Sequence, residues 1–364
     1  MKTKFILLTG FILLFSIGSV SARDRAVHQE IHKVFKTNGK THLYIDNKYG
    51  IIGIQEWDKN EIEIGIGITG RGKNQKTAEE MVKRASVKFE QSDDKIFATT
   101  NFATSPNEKC KGCFTSVHYI VKVPTSTYLH LKNKYGDINL DYVSKPIEIE
   151  LEHGSITAYR LEGDNNKISI GYGVIKILKS GSMELNMKGG EVHIDQLPDL
   201  KITGEYISLF SNMINNLQAT STKYSRFKLG KVNAVNFGSS NLWATINIQQ
   251  LEQKFEGTRL QYCTISIDTI SPNFSSIDID GMYSNVTLGI NQEHNAQIDL
   301  STPHGKIVLN ELEINNPTQS NNSQNPYTPQ ITGYIGKTKN PKAKVKVATA
   351  YATIEFTNKA KVID

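Results

Sequence analysis

The chain has 364 residues, a net charge of +6 from 42 basic and 36 acidic side chains, and 38% hydrophobic content. That much apolar material can build a sizeable core, which excludes an intrinsically disordered chain. The two charge populations are large, interspersed and nearly balanced, so there is no broad positive field and a dedicated nucleic-acid binder is disfavoured.

The first segment reads as an export signal over residues 1–22. Lys2 and Lys4 precede an apolar stretch from Phe5 to Val20, and Val20-Ser21-Ala22 supplies small residues for cleavage. Gly10, Gly18 and two serines weaken the competing reading as a membrane anchor, and no later run is long and apolar enough to span a bilayer. The mature chain is expected to be exported to the periplasm, the outer cell surface or the medium.

Residues 23–125 read as a small α/β module. Glu30 to Lys36 and Thr41 to Asn47 flank Asn38-Gly39, a pair that favours a two-residue hairpin turn. A strand is expected at Glu61 to Thr69, with Ile62, Ile64, Ile66 and Ile68 on one face. Ala78, Met81, Val82, Ala85 and Phe89 recur at helical spacing, which predicts one helix between Lys76 and Phe89. Val87 to Ser92 and Lys95 to Asn101 resemble a hairpin around Asp93-Asp94, and Val117 to Val123 alternates towards Pro124. Cys110 and Cys113 lie in a polar loop with no second cysteine pair to complete a zinc site and no thioredoxin-like pattern around them. A loop-closing disulfide fits best in an exported chain. Cys263, alone in an alternating stretch, reads as a small buried apolar residue.

Residues 126–364 are repetitive. A ring followed by glycine or a small residue and then an alternating apolar run recurs as Lys134-Tyr-Gly-Asp-Ile-Asn-Leu140, Glu152-His-Gly-Ser-Ile-Thr-Ala158 and Gly171-Tyr-Gly-Val-Ile-Lys-Ile177. Weaker copies begin at Gly189, Glu205, Lys223, Gln261, Met282 and Pro303, at offsets of about 17 to 21 residues. A second alternating run lies between copies, such as Ile147, Ile149 and Leu151 or Met183, Leu185 and Met187. One such unit cannot exclude water alone, whereas units stacked in parallel bury one another's apolar faces. The expected fold is mainly β: a parallel β-solenoid of two short strands per coil, with the N-terminal α/β module capping one end. Roughly ten rungs at about 4.8 Å give a rod of about 45 to 50 Å. Residues 315–330 read as a polar surface loop. Thr349-Ala-Tyr-Ala-Thr-Ile-Glu-Phe356 repeats the frame, so the chain is expected to finish on the stack.

The doubled Asn47-Lys-Tyr-Gly50 and Asn133-Lys-Tyr-Gly136, the Val121-Lys-Val-Pro124 entry, the Gly-x-Ile-x-Ile rungs and Gly333-Tyr-Ile-Gly336 resemble the putative-adhesin families of exported bacterial proteins. The resemblance implies a β-solenoid without enzymatic activity. Tyr206-Ile207 and Tyr351-Ala352 depart from the pattern by lacking glycine, and the rung near Ser239-Ser240 lacks the ring.

Residues arranged for chemistry are few. His28 and His32 are four apart, yet they lie in a strand pattern where that spacing does not make a helical zinc pair. Phosphate-loop and nucleophile-elbow motifs are absent, and no cofactor is expected. Asp137, Asp195, Asp268, Asp278, Asp280 and Asp299 alternate with apolar residues and read as solvated outer positions. Lys342, Lys344 and Lys346 read as a charged strand face that discourages edge pairing. The distinctive set is Tyr135, His153, Tyr172, Tyr206, Tyr224, Tyr262, Tyr283, His304 and Tyr351, which stacking would bring into one column. Such a column either stabilises the coil or presents rings to a ligand; the structural role is favoured. The expectation is a non-enzymatic binding or structural component of the bacterial envelope, with glycans or surface proteins as partners. A polysaccharide-acting solenoid enzyme and an envelope-signalling partner are the alternatives.

Overall fold

The computed structural model describes residues 25–103, 110–238, 241–319 and 328–357; the expected export signal lies outside the described residues. The first third comprises β1 (Arg25–Lys36), β2 (His42–Lys48), β3 (Ile52–Trp57), β4 (Glu61–Gly72), α1 (Gln75–Lys83), β5 (Ala85–Ser92), β6 (Lys95–Phe102) and β7 (Phe114–Pro124). The middle comprises β8 (Tyr128–Lys134), β9 (Ile138–Val143), β10 (Ile147–Leu161), β11 (Asn166–Ser180), β12 (Met183–Glu205), β13 (Ile207–Lys223), β14 (Arg226–Phe237) and β15 (Thr245–Gln261). The last part holds β16 (Thr264–Ile270), β17 (Ser276–Met282), β18 (Asn285–Leu288), β19 (Ala296–Ser301) and β20 (Lys306–Val308). It closes with β21 (Asn315–Gln319), β22 (Gln330–Ile335), β23 (Ala343–Ala350) and β24 (Thr353–Phe356).

All the strands belong to one large, mainly parallel sheet, because each middle strand pairs in parallel with the strand before and after it. The result is a continuous apolar column. Ile52, Ile138, Ile156, Ile175, Val192, Leu209, Phe227, Ile246, Ile265, Val286, Ile354 and Ile307 lie opposite one another in that order. All but Ile307 are buried, and each contributes about 1.5–3 kcal/mol of burial that no single rung could obtain alone. The register crosses residue 125 without interruption, since β2 pairs with β8 and β3 with β9. In β10 and β12 the two short runs of a repeat merge into one long bent strand, because Gly154 (φ 146°) and Gly190 (φ 128°) let the chain turn while its hydrogen bonds continue.

The sheet is mixed, so an all-parallel stack is too narrow a description. At the N-terminal end β1, β4 and β7 pair antiparallel, as do β5 and β6 around Asp93; at the other end β19, β22 and β21 do the same. The hairpin expected at Asn38-Gly39 does not form. β1 pairs with β4, and β2 pairs in parallel with β6 and β8; the Asn38 carboxamide instead accepts from the Lys40 N–H and bonds Asp94. The helix is shorter than expected. Asn74 caps it by accepting from the Thr77 N–H at 2.9 Å; Ala78, Met81 and Val82 are buried, and the chain re-enters a strand at Ala85. Ala85 and Phe89 therefore belong to β5, where Ala85, Val87 and Phe89 also alternate. The helix lies directly on β4, whose Gly70 leaves the needed room: a Cβ there would stand 2.4 Å from the Ala78 carbonyl oxygen.

The C-terminal end departs most from expectation. β23 inserts between β17 and β19, and β24 between β18 and β20, so the last described strands lie inside the sheet and not at its edge. Lys344 and Lys346 thus lie on a strand paired on both sides, with Lys346 in register between Asp278 and Asp299. The expected polar loop at 315–330 is in part strand: β21 pairs with β22, which carries Gly333-Tyr-Ile335 and ends just before Gly336, while 320–327 lie outside the described residues. Among the described residues, no helix is long and apolar enough to cross a membrane.

Candidate functional site

The expected rings do come together, in two tiers. Tyr49, Tyr135, His153 and Tyr172 stack in sequence with centroids 5.5, 5.1 and 5.7 Å apart. After an interruption at Gly189, Tyr206, Tyr224, Trp243, Tyr262, Tyr283, Tyr351 and His304 continue at 4.8 to 5.1 Å. Every pair is within 19° of parallel. Parallel rings at such centroid distances are offset stacks, worth about 0.5–1.5 kcal/mol per pair beyond burial. Tyr351 precedes His304 because the C-terminal strands insert between rungs. Trp243 supplies a ring at the rung near Ser239-Ser240, where the sequence pattern shows none, and Tyr49 extends the ladder towards the N-terminus.

The rings themselves make most of the turn. Tyr49, Tyr135, Tyr206, Tyr224, Trp243, Tyr262, Tyr283, Tyr351 and His304 have φ between 51° and 60°, the left-handed region that costs a non-glycine residue about 1–2 kcal/mol. The N–H of Tyr224 donates to the Leu242 carbonyl at 2.9 Å, that of Trp243 to Gln261 at 3.0 Å and that of Tyr283 to Ala350 at 2.8 Å. These bonds, together with the stacking, hold the strained turn in place. Where a glycine follows the ring, it also lets neighbouring rungs pack closely. A Cβ on Gly173 would lie 1.9 Å from the Gly154 carbonyl oxygen, so glycine here allows close approach of backbones.

Charged pairs beside the ladder link successive rungs. Lys134 bonds Glu152, Lys132 meets Glu150 at 3.2 Å, and Lys201 meets Glu184 at 2.7 Å. The Lys134 and Lys201 ammonium groups hold the Glu152 and Glu184 carboxyls below their ordinary range by hydrogen bonding.

Two polar constellations were missed by sequence reasoning. His42 Nδ1 lies 3.0 Å from His130 Nε2, and His130 Nδ1 is 2.9 Å from a Glu148 oxygen. The two rings and the Glu148 carboxylate thus form one chain of hydrogen bonds across neighbouring strands. The rings stack with Tyr44 and Tyr128. Burial, followed by the neighbouring His130 and Lys95, lowers the His42 pKa from its ordinary value. The second constellation is buried: Thr100 Oγ1 donates to Asn47 Oδ1 at 3.0 Å, Tyr119 Oη donates to the same hydroxyl at 2.7 Å, and Asn47 Nδ2 donates to the Val117 carbonyl. Burial pushes the Tyr119 phenol up to about 12. The aromatic alternation of His42 and Tyr44 with Tyr128 and His130 was visible in the sequence, but the pairing of β2 with β8 was not.

The remaining candidates are dispersed. Cys110 and Cys113 are disulfide-bonded, and Cys263 is buried with its thiol pKa raised by burial. His28 bonds Thr69 and His32 faces Glu63 on strand β1. Asp268, Asp278, Asp280 and Asp299 are exposed; Asp137 and Asp195 are half-buried, with Asp137 accepting from the Ser155 N–H and hydroxyl and Asp195 bonding Asn212. A depression of about 460 Å³ on the parallel face is lined by residues including Asp199, Lys201, Lys254 and Glu256. Asp199 accepts from Asn216 at 2.6 Å, and Lys254 pairs with Glu256 at 2.8 Å.

No protein-family model and no curated protein matches this sequence. Two solved structures are similar to it. A "putative cell adhesion protein" from Clostridium sporogenes is 10% identical, with a TM-score of 0.21, over 91% of this chain and 99% of that one. A "putative adhesin" from Bacteroides fragilis is 13% identical, with a TM-score of 0.25, over 71% of this chain and 96% of that one. Likeness at this level decides neither fold nor function.

Proposed function

We propose that the chain is an exported β-solenoid, capped by its N-terminal α/β segment, that serves as a non-enzymatic binding or structural component of the bacterial envelope. The observation that carries this reading is the unbroken rung-to-rung column from Ile52 to Ile307, with an exposed ring on one side at nearly every rung. A rigid repeating face lets weak contacts act together without an ordering cost at each encounter. The Cys110–Cys113 bond fits an oxidising compartment outside the cytosol. The expected partners are envelope glycans or surface proteins. Cell fractionation is expected to find the protein outside the cytoplasm, and the mature chain is expected to bind glycan arrays or isolated envelope. Retention in the cytosol, or no binding to either preparation, overturns the reading.

A polysaccharide-acting enzyme is the second reading, favoured by one observation: acidic and basic side chains share the depression around Asp199 and Glu256. Against it, Asn216 and Lys254 already engage those carboxylates, leaving no evident free acid and base pair there. Incubation with acidic and neutral polysaccharides, comparing the native chain with Asp199→Asn, separates the readings; cleavage lost in the variant establishes the enzyme.

A further inference from the structure

Gly189 is the one interruption in the aromatic ladder among the described residues from Tyr49 to His304. Its strand pairing places it opposite Tyr172, and its neighbour Gly190 lies opposite Ile207, which follows Tyr206. A ring on this rung would sit between the two tiers. We propose that the Gly189 rung is a binding slot for one planar aromatic ring, walled by Tyr172 and Tyr206 and floored by the Gly189-Gly190 backbone.

Three observations carry this assignment. The glycine is not required by the backbone. Gly190 has φ 128° and its Cβ would meet the Gly173 carbonyl oxygen at 2.0 Å, but Gly189 lies outside the left-handed region. A Cβ on Gly189 would meet only side-chain atoms, the Tyr172 ring at 3.2 Å and Tyr206 Cβ at 3.7 Å. The walls are also the rings with unpaired faces. Tyr172 and Tyr206 are 55% and 59% exposed, whereas the other ladder tyrosines and Trp243 lie between 40% and 50%. Finally, the spacing selects the ligand. Tyr172 stands 5.7 Å from His153, the widest step in the ladder, and no ring of the chain stands between it and Tyr206. Neighbouring rings are one rung apart, so two rungs, roughly 10 Å along the stack, hold one further ring in the same offset geometry. A saturated sugar chair is thicker than an aromatic ring and would force the tyrosines apart. The slot is open to solvent, and it accepts a ring either free or carried on a peptide.

The test is ring-proton NMR of the mature chain, with the Tyr172 and Tyr206 signals assigned from Tyr172→Leu and Tyr206→Leu. The probes are indole, the tripeptide Gly-Trp-Gly and methyl β-glucoside. Indole or the tripeptide is expected to shift both tyrosine signals in a saturable way, the tripeptide alone pointing to a polypeptide partner and indole alone to a small molecule. Gly189→Tyr, which places a ring in the slot, is expected to weaken binding at least tenfold, as are the two leucine variants. An unchanged circular dichroism spectrum confirms that each variant is folded. The proposal is overturned if neither aromatic probe shifts the signals, if Gly189→Tyr binds as well as the native chain, or if the glucoside binds equally well. It stands or falls apart from the envelope reading, which fractionation and envelope binding decide.

Discussion

Two neighbouring glycines separate close approach from an open position. Gly173→Ala drives a methyl into the Gly154 carbonyl, and backbone cannot move aside without breaking the rung. The expected loss is at least about 3 kcal/mol, read as a fall in the urea midpoint. Gly189→Ala meets no backbone but only the Tyr172 ring at 3.2 Å and Tyr206 Cβ at 3.7 Å, and is expected to stay within about 1 kcal/mol of the native chain. Equal midpoints for the two variants would remove the distinction on which the role of the glycines rests. The His42–His130 contact gives a pH prediction at the same scale. Burial lowers the His42 pKa from 6.5, so the folded state binds fewer protons than the unfolded chain between the lowered value and 6.5. Stability is therefore full above that range and falls as the pH drops through it. His130, Lys95, Asp94 and Glu148 face the ring, the basic groups opposing its protonation and the acidic groups favouring it. His118, also lowered by burial, acts with the same sign. Urea midpoints at about pH 7.5 and 5 should differ less in His42→Phe than in the native chain, and an identical pH dependence would remove His42 from the explanation.

Among elements, the inserted C-terminal strands have the clearest consequence. Val345, Val347, Ile354 and Phe356 are buried, and their removal bares the facing edges of β17 and β19. A chain truncated after Pro341 is expected to self-associate in size-exclusion chromatography with light scattering, since unpaired edges recruit other strands. A peptide spanning residues 343–357 is expected to restore the monomer. A truncated monomer of native stability would show that the insertion is dispensable. The same insertion shows what was legible in the sequence. Strand runs, the large apolar residue three positions after each ring and the ring column itself were readable because each is a local pattern repeated many times. Partner choice was not. Asn38-Gly39 looked like a hairpin turn, but β2 is better satisfied by parallel partners far along the chain. Ala85 and Phe89 fit a helical stripe and a strand alternation equally, and pairing with β6 decides between them. Trp243 escaped notice because Leu242 and Ala244 around it lack the usual glycine. The open rung at Gly189 could be recognised only once the rings on either side had been placed.

At the scale of the whole molecule, a stack in which each rung touches chiefly its two neighbours should lose structure from its ends. The central strands β10 to β14 are paired on both sides and enclose the apolar column, so their amides exchange only when several rungs open together. The ends are built differently. β1 is exposed along most of its length, and among the described residues β1 pairs only with β4, β5 only with β6 and β21 only with β22. Hydrogen exchange followed by mass spectrometry is therefore expected to show protection rising inward from both ends, with peptides from β10 to β14 slowest by at least about tenfold over those from β1 and β21. The ladder sharpens the expectation, because a left-handed ring is held by stacking on both sides and loses part of that support when a neighbouring rung opens. Opening should spread from rung to rung and not seed at isolated positions. Uniform protection along the chain would mean a single cooperative globule, and a quasi-one-dimensional stack would then be the wrong physical description of this protein.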